Sequence, residues 1–209
     1  MSESDQGSST SGENVLLRTP AMGENTDGFD LLSDTDLTQT DLLVVSYHQS
    51  PDSWLRSWLK EAGEHPAGLG FIRVGDTMRS AAAAQSSSRP AQGPDTITGI
   101  ADPRDLTELG IRISEYLAAW DGNGHEIQIY YGHEIQIYFD SITSLVQYTE
   151  DIQTAFQFLH VLVGRVQTAN ASAFYKVTPD AHSDQTLATL SSLFDRAVEY
   201  NDVQVEKEK

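Results

Sequence analysis

Short, continuously apolar runs alternate with amphipathic stretches along most of this chain, and no other feature limits its fold so tightly. The alternation is that of βα units, in which buried parallel strands read as apolar runs and each connecting helix carries one apolar stripe. Candidate strands cover residues 14–18, 41–47, 69–74, 96–101, 133–139 and 172–177, with a short terminal strand or hairpin within 197–205. The helices are clearer. Pro51-Asp52-Ser53-Trp54-Leu55 opens one that ends near residue 62. Asp102-Pro103-Arg104-Asp105 offers an N-cap with Pro at the first helical position, after which Leu106, Leu109, Ile113, Leu117 and Trp120 share a face. Ile152, Phe156, Leu159, Leu162 and Val166 repeat that spacing over 150–169, and Asp184 opens a last helix through Leu187, Leu190 and Phe194. Such stripes are ordinary core-packing faces. The expected class is α/β, with a mainly parallel sheet between helical layers.

At 209 residues the chain can bury one full core, and a single domain is expected over 14–205. Residues 1–13 hold no apolar side chain beyond the initiator Met and should be a disordered acidic tail, with a second short tail at 206–209. Residues 80–95 have the composition of a flexible loop. An octapeptide is duplicated: Gly124–Tyr131 is followed at once by Gly132–Phe139. An insertion of even length preserves the two-residue side-chain phase of a strand, but strands of five or six residues cannot absorb both copies. The second copy should be the core strand, and the first a protruding extension or a hairpin turning at Tyr131-Gly132. Its repeated His-Glu pairs invite a metal reading, which a recent slippage duplication explains better.

Charge narrows the function. Acidic residues number 31 against 13 basic ones, a net charge of −18, and the lysines are Lys60, Lys176, Lys207 and Lys209 alone. A field of that sign repels nucleic acid and anionic membranes. Either an acidic partner-binding protein or a protein of a high-salt cytosol accounts for it. Acid spread along the whole chain favours the second, because brine screens the self-repulsion. There is no Cys, hence no disulfide or thiol chemistry, and no apolar run nears 18 residues. A cytoplasmic protein is expected.

The turn after the first candidate strand reads Thr19-Pro20-Ala21-Met22-Gly23-Glu24-Asn25. A phosphate loop at this place needs G-x-x-x-x-G-K-S/T, whose amides cradle phosphate while Lys neutralises it and the hydroxyl holds Mg²⁺. Gly23 and Gly28 have the right separation, yet Phe29 and Asp30 stand where Lys and Ser/Thr belong; aligned on Pro20 and Gly23, the Lys position falls on Glu24. Ile135–Phe139 is an apolar strand ending in Asp140, where a nucleotide hydrolase carries a Mg²⁺-coordinating acid. Capping of the next turn by Asp140 or Ser141 is the plainer alternative.

Leu42-Leu-Val-Val-Ser-Tyr-His48-Gln49-Ser50-Pro51 followed by an amphipathic helix resembles the second core strand of RecA/KaiC-like ATPases, where paired glutamates activate water. IQIYFDSITSLVQY resembles their Walker B strand and the turn after it. Over 14–200 the chain resembles a haloarchaeal group of RecA/KaiC-like proteins through TPAMG, VVSYHQSPDSWL, VGDTMRSAAA, DLTELGIRISEYL, YFDSITSLVQY, FQFLHVLVGRV and PDAHSDQTLATLSSLFD. The resemblance implies a RecA-like three-layer α/β/α fold. It places the water-activating glutamates on His48 and Gln49, the Walker B acid on Asp140, and a vestigial nucleotide site on Gly23, Asn25, Thr26 and Asp140. It also carries an expectation of a homo-oligomer, since such relatives commonly form rings or filaments. No cofactor is expected.

Polar residues should gather beyond the carboxyl ends of the strands: Ser46, His48, Asp76, Asp102, Asp140, Asp180 and His182. A solvated acidic rim fits them better than a metal site, because no metal-ligand spacing links them. His160 lies mid-helix, packed or exposed rather than catalytic. No G-x-S-x-G elbow or G-x-G-x-x-G fingerprint is present. The expected function is a non-catalytic module acting through protein contacts, in signalling or regulation. Trp54 and Trp58 can serve a partner surface or pack in the core. The alternatives are a nucleotide sensor with little or no ATPase activity and, disfavoured by charge, DNA association.

Overall fold

The computed structural model describes residues 12–21, 27–33, 35–75, 96–121 and 133–199. Its strands are β1 (Asn14–Arg18), β2 (Thr40–Ser46), β3 (Gly68–Val74), β4 (Thr96–Ile100), β5 (Glu134–Asp140), β6 (Ser172–Val177) and β7 (Arg196–Glu199). They form one sheet in the order β4-β3-β2-β5-β6-β1-β7, and every neighbouring pair is parallel. Between them lie helices α1 (Phe29–Leu32), α2 (Pro51–Glu61), α3 (Leu106–Trp120), α4 (Ile142–Tyr148), α5 (Ile152–Thr168) and α6 (Asp184–Ser191). This is the expected α/β fold with helices on both faces.

Strand alternation divides the apolar residues into two cores. On one face Val15, Leu17, Val44, Phe71 and Tyr138 meet α1 and α2 through Phe29, Trp54 and Trp58. On the other, Leu16, Val45, Ile72, Ile137 and Tyr175 meet α3 to α6 through Ile113, Leu145, Leu159 and Leu190. The tryptophans are fully buried, so neither serves a partner surface. Their rings stack at 5.3 Å, and Phe29 sets its edge against both. A spacing of four put both on one face of α2, and the apolar sheet beneath claimed the pair.

Helix boundaries follow their caps. Ser50 caps α2 with Pro51 in its first turn, and Asp151 caps α5 by accepting the Thr154 N–H at 2.7 Å. α3 departs from expectation. Asp102 to Asp105 is a turn closed by Asp105 N–H on the Asp102 carbonyl (3.0 Å), and the cap is Asp105, which accepts the Glu108 N–H at 2.8 Å. Pro103 serves that turn, not the helix. α6 stops at Ser191, short of Phe194, and the described part of the terminal stretch, up to Glu199, is a parallel edge strand beside β1. The stretch after Asp140, expected as a turn, winds into α4. Gly28 caps α1 at φ 67°, and a Cβ there would stand 2.6 Å from Leu17 Cδ2. The second octapeptide copy supplies β5; the first copy, the 80–95 segment and the tails at 1–11 and 200–209 lie outside the described residues.

Candidate functional site

A row of polar side chains crosses the carboxyl end of the sheet. Ser46 on β2 stands in register with Asp140 on β5, and one step past the Phe139–Tyr175 pairing the row reaches Lys176 on β6. Val44, Tyr138 and Phe174, two residues earlier on each strand, belong to the α1–α2 core, so all three polar side chains point toward that layer. Lys176 Nζ donates to Asp27 Oδ1 at 2.6 Å and lies 3.7 Å from Asp140 Oδ1. All three groups are largely buried. The Tyr138 hydroxyl donates to the Asp27 carbonyl at 2.9 Å and fixes the approach to α1.

The electrostatics are those of two acids sharing one cation. Burial pushes the Asp140 carboxyl above the ordinary aspartate range; Lys176 opposes the rise, Asp27 adds to it, and His48 opposes it. Nearby, Glu61 in the last turn of α2 is raised by partial burial and then by Asp27 and Asp30.

Beside the row, between β2 and β5, the sheet has its topological switch point. From β2 the chain crosses to the α2 layer, whereas from β5 it crosses to the α4–α5 layer. Chains that part in this way open the cleft in which α/β proteins take ligands. Ser46 Oγ accepts the N–H groups of His48 (3.3 Å) and Gln49 (3.0 Å), turning the chain at the edge of the switch point. His48 Nε2 spans it to Ser144 Oγ at 2.6 Å, and Ser144 Oγ is 3.0 Å from Ser141 Oγ. On the far side of α4, His182 Nε2 lies 3.0 Å from Thr143 Oγ1, which also accepts the Thr178 N–H at 2.9 Å. Partial burial lowers the His182 pKa. Ser144 is only 2% exposed, so the His48–Ser144 pair clamps α4 and does not present a nucleophile.

Of the residues singled out from sequence, the structure brings Ser46, His48, Gln49 and Asp140 together and sets His182 across α4. Gly23, Asn25, Thr26 and Asp76 lie outside the described residues. Asp102, beyond the edge strand β4, accepts the Arg104 N–H at 2.9 Å, and Asp180 is exposed. His160 is exposed on α5 with its ring stacked on Phe156. No group of three or more His, Cys, Asp or Glu among the described residues has metal-site geometry. Sequence reasoning missed Lys176 and Asp27. The signal was a lone Lys inside an apolar strand, in alternation with Phe174, but its meaning depends on which strands flank β6.

The sequence model described as "Family of unknown function (DUF7504)" matches residues 12–200. The chain belongs to this family. No curated protein matches it in sequence. Among solved structures, a KaiC-like protein, PH0186, from Pyrococcus horikoshii OT3 superposes with a TM-score of 0.54 at 10% identity, over 94% of this chain and 76% of that one. A second protein of the same organism, PH0250, gives a TM-score of 0.52 at 16% identity over 91% and 83% of the two chains. For this member of the family the likeness establishes a KaiC-like fold. No helix among the described residues is long and apolar enough to cross a membrane.

Proposed function

We propose that this protein is a RecA/KaiC-like module that does not hydrolyse nucleotide and works through contacts with other proteins, in signalling or regulation. One observation carries this reading: Lys176, the cation beside Asp140 in a strand-end row that also includes Arg73 of β3, is held by Asp27 at 2.6 Å and Asp140 at 3.7 Å. A triphosphate needs positive charge to meet it, and freeing Lys176 would leave two largely buried carboxylates facing each other. Mg²⁺ on Asp140 would have to displace the same ammonium. Neither register of the turn at 19–30 supplies a replacement, since Glu24 or Phe29 occupies the Lys position. At the positions of the paired glutamates, Gln49 has no basic group and His48 is bound to Ser144. Loss of a general base alone costs about 10²–10⁴-fold in rate.

The switch point between β2 and β5 and the acid Asp140 beside it favour a second reading, a nucleotide sensor that binds without turnover. Calorimetry with Mg·ATP, paired with a phosphate-release assay, separates the two. Molar KCl is the appropriate medium for a net charge of −18, which also fits a high-salt cytosol. The expected result is neither binding nor release. Micromolar binding with release overturns both readings; binding without release, accompanied by a rise in melting temperature, selects the sensor.

A further inference from the structure

Among the described residues, nothing covers the face formed by α3 and α5. Ile111 on α3 is 51% exposed and Val161 on α5 is 54% exposed, the largest values among the described large hydrophobic side chains. They flank a groove of about 380 Å³ whose walls include Leu106, Gly110, Phe158 and Leu162. Arg165 on α5 holds the two helices together by donating to Ser114 Oγ and to the Gly110 carbonyl.

A second property of this face says what it fits. From 152 to 168, α5 contains no Asp or Glu, although the chain as a whole carries 31 acids. Its outward side presents Thr154, Gln157, Val161, Gly164 and Thr168 at helical spacing of three and four. A basic partner would be met by acids, which the rest of the chain has in abundance. A surface that excludes them suits a partner as acidic as the chain itself.

We propose that α5 and the adjoining edge of α3 form a twofold interface between two copies of this chain, with α5 packed antiparallel on its counterpart near Val161. The sequence of α5 is self-complementary about that point. Phe158 then falls opposite Gly164, where an added Cβ would meet nothing within 4 Å in the single chain. Gln157 falls opposite Arg165, and Thr154 opposite Thr168. Antiparallel helices also oppose their dipoles, and the bare Gly164 backbone lets them approach closely. The inference goes beyond the strand-end site and stands whether or not nucleotide binds there, because α5 covers the sheet face opposite Lys176.

Sedimentation velocity across a concentration series in molar KCl tests it. The full chain should run at twice its monomer mass of 23.0 kDa. Val161→Glu should weaken dimerisation about tenfold or more while leaving the melting curve of the monomer unchanged, since the side chain is exposed. The chain has no cysteine, so Val161→Cys should form an intermolecular disulfide on oxidation. Gln153→Cys should not, because eight residues on each side of the twofold put the pair about 24 Å apart along the helix. A monomer at every concentration overturns the proposal, as does a dimer that Val161→Glu leaves intact. So does a monomer in which the Val161→Cys thiol is shielded from reagent, the sign that the chain's own tail fills the groove.

Discussion

Lys176 holds two carboxylates that would otherwise repel each other at the end of the sheet. Replacing it with Met keeps the aliphatic stem and removes the charge, leaving Asp27 and Asp140 uncompensated. Breaking a buried pair on one side costs about 3 kcal/mol or more. Lys176→Met should therefore melt well below the parent at neutral pH, and adding Asp140→Asn should recover much of the loss. The pH dependence has a definite sign. Burial raises the folded pKa of Asp140, so its contribution to stability is fully present below the unfolded aspartate value of about 3.9 and fades as pH rises through the folded value. Losing the ammonium raises that folded value further. Denaturant titrations from acid to neutral pH should show Lys176→Met losing more stability than the parent over this interval, with Asp140→Asn removing the difference. Equal slopes for all three variants would mean that Asp140 is not coupled to Lys176. Asp140 was legible from its place at the end of an apolar strand; Asp27 and Lys176 were not, since nothing in 149 residues of separation marks them as partners.

At the scale of elements, α2 is held down by its two tryptophans. Trp58 packs with no exposed surface against Phe29 and Trp54, and its indole N–H donates to the Glu64 carbonyl at 2.9 Å. Truncation to Ala should cost about 3–5 kcal/mol, from lost burial together with the cavity left behind. The expected result is a large fall in the denaturation midpoint; a change below about 1 kcal/mol would show that this face of α2 is not the core contact described, given how strongly buried aromatics contribute. The spacing of Trp54 and Trp58 fixed that they share a face. Whether that face met solvent or sheet depended on β2, β3 and β5 lying beneath it. α3 teaches the same lesson at a boundary. Asp102 and Asp105 are both acceptable caps by residue type, and hydrogen bonding within the preceding turn selects Asp105. α4 escaped notice because seven residues are too few to display helical periodicity, and four of them are buried.

For the whole molecule, one copy of the octapeptide suffices to complete the sheet. β5 takes its residues from Glu134–Asp140, and every one of its ladder contacts with β2 and β6 comes from that copy and the adjoining Asp140. Deleting residues 124–131 should therefore leave a folded protein with the same cooperative transition and a melting temperature within a few degrees of the parent. A non-cooperative melt would show that the first copy also contributes to the core. The class of fold, the strands and the larger helices were legible in the sequence because each depends on local periodicity, and β-strand and helix periods differ enough to be told apart in a dozen residues. The residues at 19–30 that depart from a phosphate-loop pattern, Glu24 or Phe29 at the Lys position, are likewise a local signal. Strand order is different: it decides which residues from distant segments share a row, and no local signal encodes it. The sequence by itself determined alternating elements, their buried faces and an excess of acid. Only the tertiary structure decided that Lys176 would stand between Asp27 and Asp140, that His48 would close on Ser144, and that the acid-free α5 would turn Val161 outward, because each depends on how distant chain segments pack together.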